Sequence, residues 1–208
     1  MHLMDGKSLG GYDMSLIPER EISRALELAL KIPGMYAADE ARFLYVQARR
    51  KGQMVEVGCW KGRTTALLLQ AAKMFGAQLT TIDPFLPVQS RSQATPEIWA
   101  ENLRQQGLTP PPLLRMPSAQ AAQTWTKQLA LAFIDGDHDY EAVKQDLALW
   151  TPFITVGGVV LLHDIFFPRF HGVTRAVFEW FMAEQDAQGA KWKCLGLVHL
   201  TIAFKRLR

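Results

Sequence analysis

Met54-Val55-Glu56-Val57-Gly58-Cys59-Trp60-Lys61-Gly62-Arg63-Thr64-Thr65 is the stretch on which the reading of this chain turns. The β-branched Val55 and Val57 in an apolar run read as a buried strand, and Gly58 and Gly62 let the backbone turn sharply into a helix that starts near Thr64. A strand, turn and helix of this kind carries the unpaired N–H groups of a helix N-terminus to the space above the strand end, where a carboxylate or a phosphate is favoured. Gly58-x-x-x-Gly62 lacks the Gly-x-Gly-x-x-Gly spacing that brings a pyrophosphate close, so the kind of anion stays open at this point.

Working outward, strands and helices alternate. Upstream, Ile22, Ala25, Leu26, Ala29 and Leu30 follow helical spacing up to Pro33-Gly34, and a second helix is expected over Ala38 to Arg50. Downstream, a helix from Thr65 to Phe75 leads to a strand, Leu79 to Ile82, that ends in Asp83-Pro84. An acidic residue at the second strand tip, about 25 positions after the first glycine, is where dinucleotide-type folds hold a ribose hydroxyl pair. A helix over Pro96 to Gln106 and the extended Pro110-Pro111-Pro112 precede a short strand, Leu113 to Met116, and a helix over Ala119 to Lys127. Leu129 to Ile134 has no polar alternation, as expected of a central parallel strand covered on both faces, and ends in Asp135-Gly136-Asp137-His138-Asp139-Tyr140. A helix with Val143, Leu147 and Trp150 follows, and then Gly157-Gly158 and the strand Val159 to Leu162, which ends in His163-Asp164. After a Phe-rich loop and a helix carrying Val173, Val177, Trp180 and Phe181, the strands Lys193 to Leu197 and Thr201 to Phe204 read as an antiparallel finish. This order predicts an α/β, Rossmann-like three-layer sandwich with a mostly parallel sheet, and such sheets bind ligands beyond the carboxyl ends of their strands. Gly58, Asp83, Asp135, His138 and Asp164 all fall there and should converge on one cleft.

Composition narrows the classes of function. With 208 residues, 49% hydrophobic and 21% charged, the chain suits one well-filled core. A net charge of +3 comes from 23 basic and 20 acidic residues, and the tight basic clusters, Arg49-Arg50-Lys51 and Lys205 to Arg208, lack interleaved aromatics, which argues against nucleic acid as a partner. No apolar run reaches the roughly 18 residues of a membrane span. Two cysteines, Cys59 and Cys194, make no disulfide framework and fit a reducing, cytoplasmic setting.

Taken together, Val55-Glu56-Val57-Gly58-x-x-x-Gly62, Ile82-Asp83, Phe133-Ile134-Asp135-Gly136-Asp137-His138-x-Tyr140, Gly157-Gly158 and His163-Asp164 resemble class I S-adenosylmethionine-dependent methyltransferases. The likeness is to the group of macrocin-type sugar O-methyltransferases and, more distantly, to catechol-type O-methyltransferases, and it covers residues 36–204. It implies a seven-stranded sheet with an antiparallel last strand, in a single domain over 15–208. Within that domain, accessory helices would occupy 15–52 and the catalytic core 53–208, after a flexible arm at 1–14. Carried over residue by residue, Gly58 and Gly62 would pass beneath the methionine part of the cofactor, Thr64 and Thr65 would offer donors to its carboxylate, and Glu56 would order its amino-acid end. Asp83 would accept from the ribose hydroxyls, Ser118 would approach the adenine ring, and Asp135 would lie at the reacting end. Asp135 and Asp164 match positions at which relatives hold a divalent cation, usually Mg²⁺, and His138 stands where catechol-type relatives carry a lysine base. An imidazole can do that work near neutral pH, since its unperturbed pKa is about 6.5.

The chain departs from the pattern at Trp60, where many methyltransferases have a glycine, and at Ile165, where catechol-type relatives place a metal-binding amide. Asp137 or His163 can supply a replacement ligand. Simpler roles stand beside these: Asp135, Asp137 and Asp139 as helix caps, His163 as a structural histidine, and Trp99, Trp125, Trp150 and Trp180 as core. The expected function is O-methylation of a small-molecule hydroxyl, with neither nucleic acid nor membrane as partner and a homodimer left open. An NAD(P)-dependent oxidoreductase and a metal-dependent hydrolase using Asp135, His138, His163 and Asp164 are the alternatives.

Overall fold

The computed structural model describes residues 8–9, 12–13, 19–86, 94–186 and 189–208. Seven strands form one sheet: β1 (Gly52–Val57), β2 (Ala77–Ile82), β3 (Leu113–Leu114), β4 (Leu129–Ile134), β5 (Ile154–Leu162), β6 (Trp192–Val198) and β7 (Thr201–Arg206). Their spatial order is β6-β7-β5-β4-β1-β2-β3, with parallel pairing from β3 through β5 and β7 antiparallel to both neighbours. Both the seven strands and the antiparallel last one agree with the expectation.

Alternation along each strand builds the two outer layers, because successive side chains point to opposite faces. Met54, Leu131, Phe133, Val159 and Leu161 join one core with α1 (Glu19–Leu30), α2 (Ala38–Gln47), α3 (Arg63–Phe75) and α4 (Pro96–Gln105). Val55, Val57, Ala132, Ile134, Val160 and Leu162 join the other with α5 (Ser118–Thr124), α6 (Tyr140–Trp150) and α7 (His171–Ala183). Glu56 lies between Val55 and Val57 and so projects with Met54 into the first layer, fully buried.

Some boundaries differ from the sequence expectation, each for a local reason. α2 stops at Gln47 because Ala48 caps it, with its N–H reaching Leu44 O and Tyr45 O. β3 starts at Leu113 as expected but holds only two residues, since Met116 N turns back onto Leu114 O (2.9 Å) and the chain leaves the ladder. α5 begins at Ser118, directly after Pro117. β5 starts five residues early, at Ile154, because a bulge lets Ile154 pair with Leu129 and Val159 with Leu131 while Gly157 takes φ +83°. Of the arm expected at 1–14, the structure describes a two-stranded pair, Ser8–Leu9 with Tyr12–Asp13. The remainder of that expectation lies outside the described residues, as does part of the Pro-, Gln- and Ser-rich stretch after Asp83.

The accessory helices are pinned to the glycine turn by one side chain. Arg63, at the first position of α3, donates from Nε to Ile32 O (2.7 Å) and from Nη1 to Tyr36 O (3.1 Å), and Tyr36 Oη returns a bond to Arg63 O (3.1 Å). The α1–α2 connection is thereby held against the start of α3, beside the strand ends.

Gly58 shows how tightly those ends are packed. At φ +82° it has no room for a side chain, since an added Cβ would lie 2.1 Å from the carbonyl oxygen of Asp135. Gly58→Ala is therefore expected to cost more than about 2 kcal/mol of stability in urea unfolding, combining a left-handed backbone penalty with a backbone clash. A variant within about 0.5 kcal/mol of the parent would contradict this packing.

Candidate functional site

Parallel register sets the strand tips side by side. Val57 pairs with both Ile82 and Ile134, Ile134 pairs with Leu162, and Ile82 with Leu114. The ladder continues one residue further, through Gly58 N to Ile82 O (2.8 Å), Asp135 N to Val57 O (2.8 Å) and His163 N to Ile134 O (3.2 Å). Gly58, Asp83, Asp135 and His163 thus stand in one row at the carboxyl edge. Backbone strain gathers here: Trp60 (φ 41°), Phe85 (φ 51°), Asp164 (φ 61°) and Phe166 (φ 62°) are all left-handed without being glycine.

At the β1 tip, Glu56 Oε2 accepts a 2.7 Å bond from Thr65 Oγ1, and Thr65 Oγ1 in turn accepts from Trp99 Nε1 at 3.0 Å. Glu56 Oε1 is buried without a hydrogen-bond partner among the described residues. Burial pushes the Glu56 carboxyl well above the usual carboxylate range, Asp135 and Asp83 add to this, and the Thr65 bond only partly opposes it. A buried oxygen with an unused lone pair, beneath a helix start whose first N–H groups have no intrahelical partners, is suited to a ligand bearing both an ammonium and a carboxylate.

Asp83 shapes the turn. Its Oδ2 accepts from Cys59 N and Trp60 N, each at 3.0 Å, and its Oδ1 accepts from Phe85 N at 2.7 Å. These bonds hold Trp60 in its left-handed conformation, so the loop forms although the usual glycine is missing. Lys61 Nζ sits 4.7 Å from the Trp60 ring centroid. Three backbone amides thus take most of the roughly four lone-pair sites on the Asp83 carboxylate, and the Cys59 thiol faces it as well.

Across the row, two imidazoles face two carboxylates. His138 Nε2 lies 2.7 Å from Asp164 Oδ2 and 3.8 Å from Asp135 Oδ1, and its ring stacks on Phe170 at 4.0 Å between centroids. Burial works against its charge, but hydrogen bonds to Asp135 and Asp164 prevail and push its pKa up to about 9. His163, 6% exposed, places Nδ1 3.5 Å from Asp135 Oδ1 and 3.4 Å from Asp164 Oδ1, and Nε2 3.5 Å from Glu40 Oε1. Its pKa is pushed up to about 12, because Asp135, Asp164 and Glu40 outweigh its burial. Asp135 and Asp164 are both held below the usual carboxylate range: burial resists ionisation, and the two histidines overcome it. Asp135, His138 and Asp164 can each offer one ligand atom, all within 4.8 Å of one another.

The structure therefore brings together Glu56, Gly58, Gly62, Thr65, Asp83, Asp135, His138 and Asp164. Thr64 is buried beside Tyr36, and the Thr65 hydroxyl is spent on Glu56, which leaves the α3 backbone amides as the donors. Ser118 accepts from Trp150 Nε1 (2.7 Å) between α5 and α6 and hydrogen-bonds Asp146, whose burial raises it to about 6. Asp137 caps its own turn through Asp139 N (3.0 Å), and His171 starts α7 on the surface. Trp150 and Trp99 are core, while Trp125 and Trp180 are partly buried at its edge.

Glu40 escaped the sequence reading altogether. It is 3% exposed on the accessory helix α2, where Oε2 accepts from Ala37 N (2.9 Å) and Oε1 from Leu200 N (3.0 Å) and Thr201 Oγ1 (3.1 Å). The one available signal was an acidic residue three positions after the start of an N-cap, which marks a capping box and says nothing of His163.

Comparison with known proteins bears on this geometry. A family model described as a methyltransferase domain matches residues 55–165, from β1 through the β5 tip. Among solved structures, the chain resembles a methyltransferase of Podospora anserina bound to S-adenosylhomocysteine (SAH), with TM-score 0.60 and 14% identity over 92% of this chain and 89% of that one. It also resembles a TDP-rhamnose 3′-O-methyltransferase of calicheamicin biosynthesis, with TM-score 0.59 and 18% identity over 92% and 88%. A third is the MycE methyltransferase of the mycinamycin pathway, solved with Mg, SAH and mycinamycin VI, with TM-score 0.60 and 13% identity over 93% of this chain and 56% of that one. At these identities the structural likeness speaks to the fold. The family match displaces the oxidoreductase and hydrolase readings, and the chain belongs to the methyltransferase-domain family as a class I, S-adenosylmethionine-dependent methyltransferase.

Proposed function

We propose that the chain transfers a methyl group from S-adenosylmethionine to a hydroxyl oxygen of a small molecule, with a divalent cation at Asp135 and Asp164. The observation that carries the cofactor assignment is Glu56, whose buried and unpartnered Oε1 asks for the donor that a methionine ammonium provides. Gly58 and Gly62 let the turn pack closely, Gly58 under the Asp135 carbonyl and Gly62 against Trp99, and the first amides of α3, which lack intrahelical partners, are the donors we assign to the carboxylate. We assign the ribose hydroxyls to Asp83 at the β2 tip and keep Ser118 as the residue nearest the adenine ring, although its hydroxyl already accepts from Trp150.

S-adenosylmethionine supplies an activated methyl on a sulfonium leaving group, so the protein's share is alignment and removal of one proton. His138 is placed for that proton, since Asp164 and Phe170 fix its ring in the cleft. With its pKa pushed up to about 9 it serves as base through its neutral form, so that turnover should rise with pH toward that value. A divalent cation supplies Lewis acidity that makes a hydroxyl easier to deprotonate. The two carboxylates, both held ionised, have the hard oxygen donors such an ion takes. Support for a small-molecule acceptor comes from the neighbours: one is a sugar O-methyltransferase, and another was solved with Mg, SAH and mycinamycin VI.

Calorimetric titration with SAH is expected to show binding, and Glu56→Gln to weaken it roughly 10- to 100-fold, the worth of a hydrogen bond to a charged group. No binding of SAH by the parent protein at high micromolar concentration would sink the cofactor assignment. Glu56 also gives a signature without ligand. The folded protein holds its proton more tightly than an unfolded chain, whose ordinary value is 4.5, so between that pH and the raised value the native state binds more protons. Its contribution to stability therefore falls as pH rises from about 4.5, and thermal melting of Glu56→Gln should lack this fall. For the base, a screen of phenolic and sugar acceptors with methyl-labelled cofactor supplies an assay. In that assay His138→Ala is expected to lose roughly 10²- to 10⁴-fold in turnover with SAH affinity kept, and undiminished turnover would remove the assignment.

A further inference from the structure

His163 has an arrangement that neither capping nor packing explains. Its ring is buried, and each nitrogen faces carboxylate oxygens at separations longer than the 2.7–2.9 Å usual for a charge-assisted hydrogen bond: 3.4 and 3.5 Å at Nδ1, and 3.5 Å at Nε2. Two atoms that ligate one ion at about 2.1 Å lie roughly 3.0 Å apart at octahedral angles and 3.4 Å apart at tetrahedral ones. The Nδ1 distances to Asp135 Oδ1 and Asp164 Oδ1 are thus those of atoms sharing an ion.

A second observation lies behind the ring. Among the described residues Nε2 is buried without a hydrogen-bond partner by strict geometry, and it faces Glu40 Oε1 at 3.5 Å, which is fixed by Leu200 N and Thr201 Oγ1 while Ala37 N holds Oε2. A carboxylate behind a histidine whose other nitrogen faces the site is the usual support of a metal-ligating imidazole, because it sets the tautomer and the ring orientation. Here that support comes from α2, outside the segment matched by the family model.

From these contacts we infer that His163 is a third protein ligand, through Nδ1, beside Asp135 and Asp164, and that the site takes a divalent ion of the Mn²⁺, Fe²⁺, Co²⁺ or Zn²⁺ class in preference to Mg²⁺. The inference rests on the cation-assisted reading above and assigns the ion its class. Mg²⁺ wants oxygen donors in near-ideal octahedral geometry, whereas imidazole suits the later first-row ions. Among the described residues the oxygen donors at the site are two carboxylates, and the position after Asp164 is the fully buried, apolar Ile165. His138 stays outside the ligand set, since its Nε2 pairs with the other oxygen of Asp164, Oδ2, and its ring is held by Phe170.

The test uses the full chain treated with a chelator, desalted and titrated with CoCl₂, followed by visible absorption and calorimetry, with MgCl₂ and MnCl₂ as competitors. Co²⁺ is expected to give visible bands, Mn²⁺ to displace it, and Mg²⁺ to need at least roughly tenfold more than Mn²⁺ for the same displacement. His163→Asp should move the Mg²⁺-to-Co²⁺ preference toward Mg²⁺ by roughly tenfold or more, Glu40→Gln should weaken Co²⁺ by roughly 10- to 100-fold, and His138→Ala should keep the bands. Equal displacement by Mg²⁺ and Mn²⁺, unchanged bands in His163→Asp and His163→Asn, or loss of the bands in His138→Ala would each overturn the assignment. SAH titrations on the same metal-free samples report folding and separate the two claims. SAH binding without Co²⁺ binding overturns this inference and leaves the cofactor reading intact, while Co²⁺ binding without SAH binding does the reverse.

Discussion

Parallel register is the constraint on which the rest of this structure depends. Val57 is bonded on both sides, to the Ile82 and Ile134 strands, and Ile134 is bonded onward to Leu162. Once those pairs form, the first residues past each strand have no freedom to separate, and Gly58, Asp83, Asp135 and His163 must share one edge. The cost of that closeness falls on Gly58, where only a glycine lets the β1 tip pass under the Asp135 carbonyl. Residues more than a hundred positions apart in sequence thus become neighbours through the backbone hydrogen bonds of the ladder.

The second organising force is charge. Glu56, Asp135, Asp164, Glu40, His138 and His163 occupy one partly desolvated region, and each is tolerable only because of the others. Glu56 is the exception that points to ligand, because one of its oxygens has no answering group among the described residues. Accessory helices are part of this electrostatic unit: Arg63 ties the α1–α2 connection to the start of α3, and Glu40 reaches the imidazole at the β5 tip.

Much of this was legible in the sequence, and the boundary of legibility has a physical cause. Strand tips can be read because apolar runs end where polar residues begin, and the parallel-sheet rule then predicts that Asp83, Asp135 and Asp164 converge. The hydrogen-bond accounting cannot be read that way. Thr65 looked like a donor to ligand, yet its one proton goes to Glu56, and Asp83 looked like a ribose acceptor, yet it first holds the Cys59 and Trp60 amides. Glu40 was invisible because its partners at Leu200 and Thr201 lie 160 and 161 positions away, across a hairpin whose packing onto α2 no local pattern encodes. The bulge that lengthens β5 is likewise a property of two strands together, so from one strand alone the strand reads as starting only after Gly157-Gly158.

The central claim is that the row of strand tips forms a single S-adenosylmethionine cleft. Amide hydrogen exchange measured with and without saturating SAH tests it most directly, because it reports every tip at once. The account predicts slowed exchange together at 56–65, 83–86 and 135–138, with the β6–β7 edge unchanged. Protection confined to one tip, or found only at the sheet edge, would contradict it.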